Sequence, residues 1–489
     1  MVRVHDLRLL PVLAAIWVAA LVCTALPVTG CVVGLIIGAV SAGICHRHGW
    51  ATGRLISLGV ALLALSVGSQ TWVFEQTWSQ FEGEQVQVWA VATGDSRELT
   101  AERGPPIFLT SVRIEARGNS ERPEAVRSRA VGFGGQSHLA GQRLRIIGRV
   151  TEANGARDLA VVIRERSTVL EEEPAGVWAL PTQLRSGLRQ EVASRGTAGA
   201  GLFMAITLGD EAELDPGLDE AMRVVSLTHI TAVSGAHFAI ILGAAVAVIA
   251  WLPGGSWRVG ALLIGLPVVL IPLVHPSPSV LRASITAAVT GLAILLGRRS
   301  QALTALMATA LILLCADPWL ATNFGFVLSV AATGGIVLLC DPVAKVLAKF
   351  MPEALAKTIS VPFCAQVACA PVLVLLAPQL SPYAVLANVV TAAALVPITL
   401  CGLLACVVLP LLPAAGGLLI TLGSWSAEAV VWAAKWTASL PGAALPWPAG
   451  IMGLVLAAAL SVALVSGLLL LGAVPGAENR PERENVAGS

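Results

Sequence analysis

The sequence predicts a polytopic α-helical membrane protein of about 10 to 12 membrane helices, with a small β-barrel domain inserted after the third. Three observations carry this reading. Residues of the AVILMFWYC set fill 56% of the 489 positions and charged residues only 12%, against about 25% charged in an ordinary soluble domain. Apolar runs near the length that crosses about 30 Å of hydrocarbon recur along the chain. The charges are not spread evenly: 28 of 61 fall between Glu75 and Glu173. These figures exclude a soluble single-domain enzyme, a disordered protein and a disulfide scaffold. Lys plus Arg, 31, balances Asp plus Glu, 30, so the chain is no polycation of the kind that holds duplex nucleic acid nonspecifically.

Residues 1–74 hold three spans, Leu9–Leu26, Val28–Ile44 and Leu55–Trp72. The first has the basic start of a signal peptide, but a second apolar run follows at once, so it reads as a membrane helix. Leu26-Pro27-Val28-Thr29-Gly30 imitates a cell-wall sorting signal by chance, since such signals lie near a C-terminus. Lys and Arg stay on the cytoplasmic side, which puts Arg3, Arg8, Arg47 and Arg54 inside and the 75–177 block outside. Arg258, Arg298-Arg299, Lys345, Lys349 and Lys357 are separated by pairs of spans and fall on the same inner side. The expectation is a multi-pass protein of the cytoplasmic membrane with a cytoplasmic N-terminus.

The 75–177 block alternates polar and apolar residues in Gln85–Val91, Ile107–Ile114, Arg143–Val150 and Asp158–Ile163, with Gly, Pro and Asn between the runs. That is the signature of antiparallel strands, and four or five of them in about 100 residues suit an OB-like barrel. All nine cysteines lie outside the block, which therefore has no disulfide. It carries 13 arginines, 15 acids and no lysine. Guanidinium groups stack on bases and fork onto phosphates; a solvated mixed surface accounts for the composition equally well.

Residues 178–226 bring the chain back to the membrane. Leu184, Leu188 and Val192 recur every four residues beside Arg185 and Arg189, the pattern of a helix lying at the interface. Ala198–Gly209 is apolar but too short to span, and reads as re-entrant. Asp215-Pro216 starts a short acidic helix, with the carboxylate as N-cap and proline in the first turn. Residues 227–474 follow as seven to nine crossings, broken near Pro253, His275–Pro278, Asp317-Pro318, Asp341–Lys357, Ser381-Pro382, Pro410–Pro413 and Pro441–Pro448. The tail 475–489 is polar and reads as disordered.

Chemistry concentrates in Ser226–Phe238. On a continuous helix His229, Ser234 and His237 fall on one polar arc at the head of an apolar span, and polar groups inside a bilayer face the bundle or a wet cavity. Ser279, Arg282, Thr286 and Thr290 recur every three or four residues, as do Gly325, Ser329 and Thr333 after Asn323; Gln366, Asn388 and Thr391 add further polar points. Such stripes are helix-to-helix glue or the wall of a polar pathway, and a buried arginine among several stripes favours the pathway. No GxxxxGK[ST] motif is present, and no HExxH or comparable cluster holds zinc, so no metal or cofactor is expected. His46-Arg47-His48 reads as solvated loop charge. Ser234 and His237, one helical turn apart, admit an intramembrane hydrolase, but no orienting third group or oxyanion donor accompanies them.

These residues resemble the ComEC competence family, the inner-membrane channels of natural transformation. The resemblance rests on blocks in order: Gly209-Asp210 before an acidic helix; Thr228-His229 through Ser234-Gly235-Ala236-His237; Leu281-Arg282-Ala283-Ser284-Ile285; Asp317-Pro318-Trp319 with Asn323 through Gly334; and Leu386-Ala387-Asn388. It implies passage of single-stranded DNA to the cytoplasm, with His229, Ser234, Gly235, His237, Arg282, Thr286, Asn323, Ser329, Thr333, Gln366 and Asn388 as path-lining residues and the external domain meeting DNA. Many relatives end in a metallo-β-lactamase-like domain, whereas this sequence stops shortly after its last span, so nuclease activity is not carried over to it. Ala236 stands where the family more often has leucine. Phosphates moving into a cell that is negative inside climb about 2.3 kcal/mol per charge per 100 mV. With no motor in the sequence, the expectation is a passive conduit in the lipid bilayer. Its partners are a cytoplasmic DNA-translocating ATPase and an extracytoplasmic receptor or nuclease, and assembly as a homo-oligomer is compatible with it. The alternative is a secondary transporter of a small solute or lipid intermediate, with the hydrolase behind it.

Overall fold

The computed structural model describes residues 7–25, 31–38, 40, 51–78, 81–99, 107–119, 122–151, 161–211, 214–231, 234–253, 255–274, 278–297 and 301–473. The His46-Arg47-His48 loop, Asp158–Ala160, Arg298-Arg299 and the 475–489 tail lie outside the described residues. The N-terminal part contains α1 (Leu10–Ala25), helical residues 31–38 and α2 (Ala51–Trp78). After the β-domain come α3 (Ala179–Ala193), α4 (Ala198–Leu208), α5 (Pro216–Val224), α6 (Gly235–Ala250), α7 (Trp257–Val274), α8 (Pro278–Leu295) and α9 (Ala302–Ala316). The chain continues through α10 (Phe324–Leu347), α11 (Glu353–Leu376), α12 (Ala384–Val408), α13 (Pro413–Ala438) and α14 (Gly450–Ala473). Among the described residues 8 helices are long and apolar enough to cross a membrane, and α1, α4, α6 and α9 are shorter apolar helices.

The β-domain has β1 (Gln85–Ala92), the short β2 (Arg97–Leu99), β3 (Ile107–Asn119), β4 (Arg122–Gly134), β5 (Arg143–Thr151) and β6 (Val161–Glu172). β1 pairs antiparallel with both β3 and β5, which closes the order β1–β5–β6–β4–β3 into a five-stranded barrel, and β4 pairs with β6 in parallel. This is an OB-like barrel. Alternation puts Val86, Val88, Ala90, Val112, Ile114, Leu144, Ile146 and Ile163 inside, each large aliphatic among them contributing about 1.5–3 kcal/mol by burial. β4 was not expected from the sequence. Its inward positions are Ala130 and Gly132, both buried, so it has almost no apolar alternation to read.

Gly132 and Gly134 are small for a reason. A β-carbon at either position would lie 2.2 or 2.1 Å from a carboxylate oxygen of Glu165, which rests on these glycines from the β6 side. Glu165 Oε1 is buried without a hydrogen-bond partner, while Oε2 accepts from Thr168 Oγ1 at 2.8 Å. Burial raises the Glu165 carboxyl above its ordinary range, with Thr168 pulling the other way. The folded state therefore holds this proton more tightly than the unfolded state, and stability falls as pH rises from the unfolded carboxylate range, about 4.3, through the raised value. Glu165→Gln is expected to raise the unfolding temperature of the full chain at pH 7.5 and to leave it unchanged at pH 4. An equal shift at both pH values would contradict the assignment.

On α3, Arg185 is 4% exposed and both Arg185 and Arg189 are ion-paired to the β-domain, as described below. The break expected within Asp341–Lys357 falls between Leu347 and Glu353, and Pro342 lies inside α10. Ser226–Phe238 is not one continuous helix: a 3-10 turn over Thr228–Ile230 precedes a new start at Gly235. Two short helices follow α3. Every residue of α4 from Gly199 to Leu208 is buried, and at 11 residues it is only about 16 Å long. Asp215 caps α5 by accepting from Gly217 N–H at 3.3 Å.

Candidate functional site

The site is built where the beginnings of α6 and α8 meet the second turn of α10. Ser234 caps α6, and the His237 ring folds back so that Nδ1 accepts from Ser234 N–H at 2.9 Å and from Ser234 Oγ at 2.9 Å. The imidazole thus takes the place that glutamate holds in an ordinary capping box. Since Nδ1 accepts, the ring proton is on Nε2, which is buried with no hydrogen-bond partner; His237 is 1% exposed.

Gly235 N–H donates to Ser279 Oγ at 3.1 Å, near the start of α8. Ser279 Oγ lies 3.0 Å from Ser329 Oγ of α10, and Arg282 Nε donates to Ser329 Oγ at 2.8 Å. A β-carbon at position 235 would sit 2.7 Å from Arg282 Nη2, so glycine is what lets the guanidinium lie against the first turn of α6. Arg282 is 6% exposed and makes no ion pair among the described residues. A buried cation without a carboxylate is costly. The starts of α6 and α8 each add about half a positive charge, so the cluster is cationic, lined with hydroxyls and lacks an anion among the described residues. Such a site is suited to a phosphate.

His229 sits in the turn before this cluster. Its Nδ1 donates to Ser226 O at 3.1 Å and the residue is exposed. Ser226 has φ 59°, the sole positive value at a non-glycine residue among those described. A strained backbone of this kind is retained where surroundings over-determine it.

The remaining expected residues lie elsewhere. Thr286 and Thr333 bond to the carbonyls of Arg282 and Ser329 on their own helices at 2.8 Å, and Asn388 does the same to Ala384 at 2.9 Å. Asn323 caps α10 by accepting from Phe326 N–H at 3.1 Å. Gln366 is half-buried on α11. The structure thus gathers Ser234, Gly235, His237, Arg282 and Ser329, with Ser279 as their hub. It places the other five, apart from His229, in helix-local bonds or away from the cluster.

A second polar group was not legible in the sequence. Asp95, in the turn after β1, accepts at Oδ2 from Arg185 Nη2 at 2.5 Å and from Arg189 Nη2 at 3.0 Å, and at Oδ1 from Ala140 N–H at 2.8 Å. Arg189 Nε donates to Asp210 at 2.5 Å, just past α4. Thr182 Oγ1 donates to Ala140 O at 3.1 Å. Two more contacts fix the barrel: Arg129 with Asp317 at 2.8 Å, beside the start of α10, and Arg117 with the carbonyl of Thr77 at the end of α2. The Arg117 guanidinium also lies 3.8 Å from the Phe81 ring centroid. Among the described residues no three His, Cys, Asp or Glu side chains gather into a metal cluster.

The family model described as Competence protein matches residues 206–473, more than half of the 489 residues and inclusive of the whole cluster. No curated protein matches, and no solved structure does.

Proposed function

The chain belongs to the competence protein family, and we propose that within competence DNA uptake it is the conduit through which a single strand crosses the cytoplasmic membrane. The observation that carries this reading is the Arg282 cluster: a buried guanidinium without a carboxylate among the described residues, two helix starts and two serine hydroxyls, which together replace the hydration a phosphate loses. His237, whose Nε2–H has no partner, supplies one more donor. His229 and the remaining polar residues expected along the path belong to the same reading as lesser contributors. The conduit is passive and pulled by a cytoplasmic DNA-translocating ATPase, with a receptor or nuclease delivering the strand outside.

One helix supports the direction. At 24 residues, α10 is about 36 Å long. The barrel touches its beginning through Arg129–Asp317, while Lys345 and Lys349 lie at its other end. Basic residues stay inside, so the barrel is external and DNA meets it first. Its outward arginines include Arg149 and Arg164, directly opposite on β5 and β6. Such like-charge pairs are unfavourable alone and are relieved by an anion.

The test uses cells whose sole copy carries a reporter cysteine. Ser167→Cys is expected to react with a membrane-impermeant maleimide in whole cells, and Lys357→Cys only after permeabilisation, with both strains importing labelled single strands and the deletion strain importing none. Import by the deletion strain, or reversed labelling, contradicts the reading.

A further inference from the structure

One mouth of the barrel holds a cavity that neither the core nor the membrane contacts use. It has a volume of about 420 Å³ and is lined by Phe108, Gln136, Ser137, His138, Gln142 and Leu170, together with Gly135. Phe108 continues the inward series of β3, two residues before the buried Thr110, yet its side chain is half-buried and stands outside the barrel core. Its register partner on β4 is Gly134, over which the Glu165 carboxylate lies. Ile107, Val169 and Leu170 are 42%, 46% and 43% exposed, an apolar rim on a domain that is otherwise charged.

His138 is the buried polar group of this cavity. It is 6% exposed and its Nε2 has no hydrogen-bond partner. Burial pushes the imidazole below its ordinary range, so the ring is neutral. Its backbone is fixed on both sides, the N–H donating to Ser96 Oγ at 2.7 Å and the C=O accepting from Ser96 N–H at 2.8 Å. Gln142 Oε1 accepts from Leu139 N–H at 2.8 Å, which holds the amide in place. The loop is anchored further by the Ala140 bonds to Asp95 and Thr182, so the cavity is preformed and sits directly above the junction with α3.

An apolar rim with an aromatic ring and an unpartnered buried imidazole calls for a flat ligand with apolar faces and a polar edge. Glu173, 3.4 Å from the Gln142 amide, repels a phosphate at the inner end. Outside the rim, Val169 and Leu170 pair in register with Arg145 and Leu144 on β5, where Arg143 is ion-paired with Glu172 at 2.9 Å and Arg145 with Glu171 at 3.1 Å, so recognition rests on the base and not on a phosphate. We propose that the barrel mouth binds one unstacked nucleobase of the incoming single strand, stacked on Phe108 and hydrogen-bonded by His138. The proposal rests on the DNA-conducting reading for its strand, and a free mononucleotide is the other source of the same chemistry.

The full chain in lipid nanodiscs is titrated with a twelve-nucleotide single strand carrying a central 2-aminopurine, with the same strand bearing an abasic site there, and with a nucleoside monophosphate. Binding of the first is expected to quench the 2-aminopurine. Phe108→Ala weakens it about tenfold, the scale of one base–aromatic stack, and abolishes the quench; Phe108→Trp retains both, and the abasic strand binds wild type and Phe108→Ala alike. Equal affinity of wild type and Phe108→Ala for the base-bearing strand, with an unchanged quench, overturns the pocket and leaves the Arg282 path untouched. Binding of the monophosphate alone, lost in Phe108→Ala, overturns the strand as its source.

Discussion

Arg282→Met is expected to stop import of labelled single strands while the chain remains in the membrane at wild-type abundance and unfolds at the same or a higher temperature. Methionine keeps most of the arginine's length and apolar stem but has no charge and no donor for Ser329 Oγ. Each hydrogen bond to a charged group contributes about 1.5–3 kcal/mol, and every phosphate that passes meets the same cluster, so import falls by at least about tenfold. The sign of the stability change separates this role from a structural one. Arg282 has no ion-pair partner among the described residues, so its removal lifts a desolvation cost rather than breaking a pair. Arg282→Lys keeps the charge but loses the fork, and is expected to fall between methionine and wild type. A clear loss of thermal stability in Arg282→Met with normal import per folded molecule would show that the arginine is helix glue.

The second large effect is at the junction between barrel and helices. Arg185→Met removes from Asp95, 14% exposed in its side chain, the closer of its ion pairs with Arg185 and Arg189. Removing one member of a buried pair typically costs about 3–5 kcal/mol, and the full chain is expected to melt several degrees lower and to become sensitive to protease in the 93–96 and 135–142 loops. The double variant Asp95→Asn/Arg185→Met is expected to recover part of the loss, since neither charge is then stranded. Additive losses in the double variant, or a melting temperature equal to wild type in Arg185→Met, would show that the barrel is held by its other contacts.

The sequence disclosed most of the fold because two physical periods dominate it. Spans announce themselves by unbroken apolar length, and β1, β3, β5 and β6 by alternation; β4 was hidden because Ala130 and Gly132 carry its inward face. At the site, Arg282 and Ser329 stood out as polar residues inside apolar runs, but the helical arc drawn through His229, Ser234 and His237 assumed a helix that the chain interrupts. The signal for the interruption was present: Ser234 followed three residues later by a polar His237 is a capping-box spacing, here with imidazole as the returning group. Asp95 and Arg185 lie 90 residues apart, and nothing in local pattern or composition chooses Arg185 over the other arginines as the partner of one aspartate. That pairing exists only once the barrel is seated on α3.

The central claim is that the strand passes the Arg282 cluster, and site-specific cross-linking during uptake tests it most directly. Ala283 lies beside Gly235, with its Cβ 3.7 Å from where a β-carbon at 235 would be. A photo-reactive benzoylphenylalanine at Ala283 is predicted to capture labelled single-stranded DNA in importing cells, whereas the same group at Leu418, 60% exposed on the outside of α13, captures none. DNA captured at Leu418 but not at Ala283, in cells that import normally, would contradict the account.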